Sequence, residues 1–196
     1  MEKNEVKMGE WIENGFKLYK ENFGLLVLAS LIGGALSIVT MGILSGPMMA
    51  GLTLIIFALK RKTAPAPEVK TLFDGFSHFL PTFLLWLIVT IICLLVSIIL
   101  NFIPFLGQVL SIGLVLTAVS LQIFSVYLIV DKGMDFWPAL NEVIGIMKAN
   151  LWPFLGFFIV AALIGQVGAI ACGIGAVLTF PICFCILAEA YDDIYR

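Results

Sequence analysis

The chain has 196 residues, of which 61% are hydrophobic and 12% charged, and its formal net charge is −2. Soluble domains carry about 25% charged residues, so this composition excludes them and indicates a membrane protein. The absence of a basic excess excludes nucleic acid as a partner. Backbone groups cannot stay unpaired in a bilayer, and strand-like alternation is missing, so we predict an all-α, polytopic membrane bundle.

Three long stretches of the sequence contain no Asp, Glu, Lys or Arg: residues 24–59, 75–130 and 149–188. The 11 basic and 13 acidic side chains all lie between or beyond them. A helix of about 20 apolar residues crosses the hydrocarbon core, so each stretch is long enough to enter a bilayer and return. The pattern therefore predicts three hydrophobic hairpins attached to one charged face.

An amphipathic stretch precedes each hairpin. Apolar side chains recur in it at helical spacing, and such helices lie in the headgroup plane. We therefore predict that the following residues anchor the protein at the membrane interface: Trp11, Phe16, Tyr19, Phe73, Phe76, Phe136 and Trp137. The stretches either fix the bundle at the interface, or sense curvature or dock a partner, and the sequence leaves these roles open.

Glycine and proline divide the hairpins into six helices. We predict them at residues 22–39, 45–62, 81–102, 108–130, 151–171 and 175–191. The unit of in-plane helix, apolar helix, uncharged turn and apolar helix then recurs in three tandem repeats, at about residues 8–62, 69–132 and 135–193. We expect one membrane domain over residues 1–196, with no soluble domain and no cleavable signal peptide.

The first hairpin is short for two crossings. Residues 24–59 extend about 54 Å as a helix, whereas two crossings need about 60 Å before any turn. This hairpin either crosses fully, with Lys20 and Lys60 snorkelling, or is re-entrant and returns from within the bilayer.

Lysine and arginine side chains, from Lys3 to Arg196, all flank the same face of the predicted bundle. Positive residues are retained in the cytoplasm, so we place both termini on the cytoplasmic side of a bacterial inner membrane. The even number of helices agrees with this placement.

Few polar side chains lie deep in the hairpins. Gln122 and Gln166 either line a narrow polar path or hydrogen-bond between helices. Small residues at four-residue spacing, which let helices approach closely, form a ladder on the fifth helix: Ala161, Gly165, Ala169 and Gly173. The partner of this ladder is either another helix of the chain or a second subunit.

No residue pattern points to an enzyme, a cofactor or a metal site. The sequence lacks HExxH, GxSxG and a glycine-rich phosphate loop, and the charge-free stretches hold no carboxylate for acid–base catalysis. His78, the only histidine, lies at a hairpin boundary. The acidic tail, residues 189–196, is expected to be a solvated helix end in preference to a divalent-ion site. The cysteines are predicted to be buried apolar side chains, with an intermolecular disulfide as the alternative for the second: Cys93, Cys172, Cys183 and Cys185.

Trp11 and the segment KENF at residues 20–23 precede the first hairpin, and the related segment KANLW at residues 148–152 precedes the third. This layout resembles the small bacterial multipass proteins of unknown function of the YciC-like kind. It also resembles the membrane domain fused to some bacterial glycerophosphodiester phosphodiesterases. The resemblance covers most of the chain and implies the same hairpin layout. These families carry no agreed site, so no residue takes a role from them, and we expect no phosphodiesterase domain here.

We therefore expect a non-enzymatic inner-membrane protein that binds lipid or a membrane partner through its amphipathic helices and uncharged hairpins, as a monomer or a homo-oligomer. The alternative is an uncoupled channel or carrier for a small neutral or apolar solute, because coupled transporters place charged residues near the midplane. A lipid-modifying enzyme at the charged face is a third hypothesis.

Overall fold

The computed structural model describes residues 7–170 and 174–195, and all regular structure in these ranges is helical. The α-helices of this part are, in chain order, α1 Met8–Glu21, α2 Phe23–Val39, α3 Ser45–Lys60, α4 Phe79–Leu100, α5 Leu106–Lys132, α6 Phe136–Ala149, α7 Leu151–Gln166 and α8 Ile174–Tyr195. A 3₁₀ helix, Val69–His78, precedes α4, and another, Val167–Ile170, follows α7. The all-α prediction is confirmed for the described residues.

The six predicted apolar helices correspond to α2, α3, α4, α5, α7 and α8. Helix α8 extends to Tyr195, four residues past its predicted end at residue 191, and α7 is shorter than predicted. This helix stops at Gln166, before the predicted end at residue 171. Thr179 of α8 explains the difference. Its hydroxyl donates to the carbonyl oxygen of Gly165 at 2.7 Å and accepts from the amide N–H of Gly168 at 3.2 Å. These bonds satisfy backbone groups at the helix end that would otherwise be unpaired.

Among the residues that the structure describes, two helical segments are long and apolar enough to cross a membrane: Val69–Leu100 and Leu106–Lys132. The number rises to four if each of two bent pairs is one span, namely α1 with α2 at 89° and α6 with α7 at 117°. Helix α3 is apolar but has only 16 residues. The chain thus has helices long and apolar enough for a membrane protein, although they do not divide into six equal crossings.

The three amphipathic stretches are placed in two different ways. Helices α1 and α6 meet the apolar helices α2 and α7 at sharp bends. The second stretch is the 3₁₀ helix Val69–His78, which runs on into α4 and packs along α3. Glycine permits this approach, because a side chain at Gly51 would meet the backbone of Leu72, and one at Gly75 would meet that of Pro47. The separate in-plane helix expected here is therefore replaced by a segment packed on α3.

Helix α1 packs along α8. Its buried residues are Trp11, Gly15 and Tyr19, while its outer face carries polar and charged side chains. The two backbones touch at Gly15, since a Cβ there would lie 2.7 Å from the Cα of Ile186. The apolar face of α1 is therefore covered by protein.

Ion pairs join the ends of α3, α5 and α8 at one face of the molecule. Lys60 Nζ lies 3.0 Å from a carboxylate oxygen of Glu189 and 3.3 Å from one of Asp192. Arg61 pairs with Asp131 at 2.6 Å. These five side chains are only 16–22% exposed, so water and salt screen their pairs less than they screen surface salt bridges. The three hairpins are thus tied together at their charged ends.

The α2–α3 hairpin extends less far from the charged face than the α4–α5 hairpin does. The pair of Arg61 with Asp131 places the ends of α3 and α5 at one level. From this level α3 extends about 24 Å and α5 about 40 Å, at 1.5 Å per residue. The α2–α3 turn accordingly lies beside the first turns of α4, where Gly42, at φ +90°, has no room for a side chain because of the Trp86 ring. About 21 Å of α4 extends beyond Trp86.

The outer half of the α4–α5 hairpin, which lies farther from the charged face, is largely exposed and not packed against other helices. In the most apolar stretch of Val69–Leu100 only 11% of the residues are buried, against 39% in α5. At its tip, Phe102 is 83% exposed and Phe105 is 79% exposed. An apolar surface of this extent is typical of contact with lipid or with an apolar partner.

Gly15→Ala tests the contact between α1 and α8. The new methyl group would press on the backbone of Ile186, so we expect a loss of about 1–3 kcal/mol of stability and a lower thermal midpoint in detergent. Gly9→Ala is the matched control on the same helix, since nothing lies within 4 Å of a Cβ there. Equal midpoints for the two variants would contradict the contact.

Asp131→Asn tests the ion pairs at the charged face. Arg61 stays partly buried and keeps Asp192 at 3.6 Å, but it loses the charge of its nearer partner, so we expect a loss of about 1.5–3 kcal/mol in thermal unfolding. Lys70→Gln is the control, because it breaks a pair with Glu68 whose side chains are 79% and 65% exposed. Such surface pairs contribute about 0–1 kcal/mol. A larger effect of the control would show that the buried pairs do not hold the hairpins.

Candidate ligand cavity

A cavity of about 370 Å³ lies between α2, α3, α4, α5 and α8, beside the α2–α3 turn. Its wall is mostly apolar and includes the rings of Trp86 and Phe180. Small residues of α2 line it at three- and four-residue spacing, on one helix face: Ser30, Gly33, Gly34 and Ser37. The volume lies within the range of about 300–1,000 Å³ typical of small-molecule sites.

Two buried polar atoms without a hydrogen-bond partner belong to residues that line this cavity. Gln122 of α5 is 8% exposed, and its amide Nε2 has no partner. The Oγ of Ser30 is also buried and has none. An unpaired buried polar group costs about 1–3 kcal/mol, so a ligand that bonds to both atoms would relieve that cost.

A second space, of about 310 Å³, runs between α4 and α5 and is called the α4–α5 groove below. It shares Val119 and Gln122 with the cavity. Toward the hairpin tip it reaches Ser97, whose hydroxyl accepts a hydrogen bond of 2.9 Å from Ser111. The groove therefore extends the cavity toward the outer half of the α4–α5 hairpin.

Neither the cavity nor the groove is lined by a charged side chain. The first carboxylate that follows Gln122 on α5 is Asp131, about 13 Å away along the helix axis. The polar side-chain groups that remain are uncharged: one amide, several hydroxyls, the indole of Trp86 and the thiol of Cys93. This set is suited to hydrogen bonding with an uncharged ligand.

A polar pocket of about 370 Å³ lies at the charged face, between α1 and the ends of α3 and α8. Its lining is Asn14, Lys17, Leu18, Glu21, Asn22, Leu59, Lys60, Lys62 and Glu189. At the acidic end of α8, Glu189 and Asp192 pair with Lys60 and are only 17% and 16% exposed, so they are not solvated as the sequence suggests. Asp193, which pairs with Lys7 at 3.3 Å, is 37% exposed. Within the part of the chain that the structure describes, no group of three His, Cys, Asp or Glu could hold a metal ion.

Two of the predicted interface anchors lie inside the protein. Trp11 is 3% exposed and donates from Nε1 to Asp193 at 3.3 Å. Tyr19 is 7% exposed and donates from its hydroxyl to the carbonyl oxygen of Leu178 at 2.6 Å. Because α8 covers the apolar face of α1, these two rings pack against protein where the sequence suggested lipid.

The other predicted anchors are more accessible. Phe73, Phe76 and Trp137 are 46%, 40% and 56% exposed. Phe16 and Phe136 are half-buried against the core. The position of these five rings in a membrane interface stays a prediction.

The two predicted polar-path residues are separated. Gln122 lines both the cavity and the groove, whereas Gln166 is exposed at the end of α7 and lines neither of them. Of these two residues only Gln122 lines the cavity, and Ser30 is a second cavity residue with an unpaired buried polar atom.

The small-residue ladder packs within the chain. Ala161 is buried, and a Cβ at Gly165 would lie 2.7 Å from that of Cys183 on α8. Ala169 falls in the 3₁₀ helix Val167–Ile170, where four-residue spacing no longer keeps one face. Gly173 lies outside the described residues. The close approach continues with Gly168 and Gly175, whose backbones meet although the sequence analysis did not single them out.

Three of the cysteines are free thiols in the structure. Cys183 and Cys185 are buried, and Cys93 is half-buried in the groove wall. Cys172, the candidate for an intermolecular disulfide, lies outside the described residues.

Ser30 and Trp86 line the cavity but were not predicted as site residues from the sequence. A signal for Ser30 exists, because this residue and Ser37 flank Gly33 and Gly34 on one face of α2, a small polar stripe in an otherwise apolar helix. No comparable signal marks Trp86, since its contacts depend on how deep the α2–α3 turn lies.

Comparisons of the chain with protein-family models, with curated proteins and with solved structures find no match. The resemblance in layout to YciC-like proteins and to the phosphodiesterase-linked membrane domain stays a prediction. The function proposed below is therefore inferred from the residues that line the cavity.

Proposed function

We propose that the chain is a non-enzymatic membrane protein that holds a lipid in the cavity around Gln122. The observation that carries this proposal is that Gln122 and Ser30, two residues that line one apolar cavity, each have a buried polar atom without a hydrogen-bond partner, Nε2 and Oγ respectively. Ile38 also lines the cavity and is 80% exposed, so the cavity wall extends to the apolar outer surface. A lipid is the ligand that a bilayer presents at such an edge.

The proposed arrangement has six apolar helices in three hairpins, α2–α3, α4–α5 and α7–α8, in a bacterial cytoplasmic membrane. The paired charged ends and both termini face the cytoplasm. The α4–α5 hairpin crosses fully, because α5 extends about 40 Å and the hydrocarbon core is about 30 Å thick. Helices α1 and α6 lie at the cytoplasmic interface, with Trp137 among the headgroups.

The α2–α3 hairpin is re-entrant in this arrangement, with its turn inside the hydrocarbon. The backbone N–H groups of the turn, from Thr40 to Ser45, all bond locally. The side-chain oxygen of Thr40 contributes by accepting from the N–H of Leu44 at 3.2 Å. The most exposed side chain of the turn, Met41 at 92%, is apolar. Paired backbone groups and apolar side chains are what a turn away from water requires.

Single cysteines in a cysteine-free background test this topology. We expect Phe102→Cys to react with a membrane-impermeant maleimide from the outer side, and Lys62→Cys to react from the cytoplasmic side. Met41→Cys should react from neither side of intact vesicles and only after solubilisation in denaturing detergent. Reaction of Met41→Cys from the outer side would show that the first hairpin crosses fully.

Gly34→Leu tests the lipid site. No atom lies within 4 Å of a Cβ at Gly34, so the new side chain occupies open space at the cavity wall, and we expect folded protein that has lost its bound lipid. Gly24→Leu is the matched control, because it places the same side chain in open space on the same helix, away from the cavity. Native mass spectrometry of protein released from nanodiscs measures both lipid retention and oligomeric state. Equal lipid retention by both variants and the wild type would refute the site.

The second candidate function is an uncoupled channel or carrier for a small neutral solute. Its specific support is that the cavity and the α4–α5 groove meet at Val119 and Gln122. Flux into proteoliposomes, assayed over a panel of neutral solutes, decides between the two functions. Flux that Gln122→Leu abolishes would favour transport, whereas retained lipid without flux would favour lipid binding.

A further inference from the structure

We propose that the lipid is an uncharged, single-chain lipid with a hydroxyl or ester oxygen, bound with that oxygen at Gln122 and Ser30 and with its chain in the α4–α5 groove. This inference rests on the proposed lipid-binding function and names the class of lipid.

The residues that line the site favour a lipid whose headgroup is uncharged. The polar side chains of the cavity and the groove are all uncharged, namely an amide, several hydroxyls, the Trp86 indole and the Cys93 thiol, and no lysine or arginine lines either space. A phosphate or carboxylate there would be desolvated without a counter-charge, which costs far more than the burial of a neutral polar group. The basic residues nearest in the fold, Lys60 and Arg61, already pair with carboxylates at the charged face.

The two unpaired atoms determine which hydrogen-bonding groups the lipid headgroup must have. The Nε2 of Gln122 carries two N–H donors, and the hydroxyl of Ser30 both donates and accepts. An ester carbonyl or an alcohol oxygen accepts a bond from either, and an alcohol hydroxyl also donates to Ser30. A pure hydrocarbon would fill the cavity but leave both polar atoms unpaired, so an oxygen-bearing lipid is bound more tightly.

The chain follows the groove because the groove begins where the head is bound. Gln122 and Val119 belong to both spaces, and the groove continues along α5 as far as Val115. Beyond Gln122 its wall is mainly apolar, with Val89, Cys93 and Leu94 on α4. Its volume of about 310 Å³ is at the lower end of the range for small-molecule sites, which favours one chain over two.

The preference for an uncharged, oxygen-bearing headgroup is tested with three probes of equal chain length: monoolein, oleate and octadecene. Each is added to delipidated full-length protein, and binding is measured by native mass spectrometry and by the shift in thermal midpoint. We expect monoolein to bind most tightly, octadecene more weakly, and oleate more weakly than monoolein at a pH where its carboxylate is ionised. Oleate that binds as tightly as monoolein would overturn the uncharged class.

Gln122→Leu and Ser30→Ala test the assigned contacts. We expect Gln122→Leu to weaken monoolein binding about tenfold, the loss of about one hydrogen bond, and to leave octadecene binding unchanged. Ser30→Ala should act in the same direction, and it provides a second variant if the first does not fold. Gln108→Leu is the control, since Gln108 is an exposed amide on the same helix and lines neither space.

The outcomes separate the inference from the function on which it rests. If lipid is retained and Gly34→Leu removes it, but neither Gln122→Leu nor Ser30→Ala alters the preference for monoolein, the function stands and the inference is wrong. If no probe binds and no lipid is retained, the proposed function itself fails.

Discussion

The ion pairs of Lys60 and Arg61 with carboxylates of α5 and α8 set the level from which all three hairpins extend. Charged groups are costly in hydrocarbon, so the ends that carry them stay together at one face. Helix length then decides how far each hairpin extends beyond that face. Because α3 has 16 residues and α5 has 27, the α2–α3 turn meets α4 near Trp86, well before the α4–α5 turn.

The cavity lies between the shorter α2–α3 hairpin and the longer α4–α5 hairpin, where small residues on one face of α2 leave the space unfilled. Gln122 of α5 and Ser30 of α2 both line it, and each has a buried polar atom without a hydrogen-bond partner in an apolar setting. A natural protein retains such atoms at a cost, and binding is a physical reason to retain them.

Close backbone contacts decide where the amphipathic segments lie. Gly15 lets α1 press against α8, and Gly51 and Gly75 let the 3₁₀ helix Val69–His78 press against α3. In each case another helix buries part of the segment's apolar face, as Trp11 and Leu72 show at 3% and 1% exposure, whereas Phe73 and Phe76 stay 46% and 40% exposed. An amphipathic pattern shows that one face of a helix is shielded from water. It does not show whether protein or lipid covers that face, because both exclude water.

The sequence by itself determined the class, the number of apolar helices and most of their ends, because charge and hydropathy act on each segment independently of the others. It also indicated that the first hairpin was short, from the length of residues 24–59 alone. Only the tertiary structure decided that Trp11 packs on α8, that Gln122 lines the same cavity as Ser30 whereas Gln166 does not, and that Thr179 bonds to the backbone where α7 ends. These features depend on which helices are neighbours and at what relative depth, and such contacts between residues far apart in the chain leave no periodic signal in the sequence.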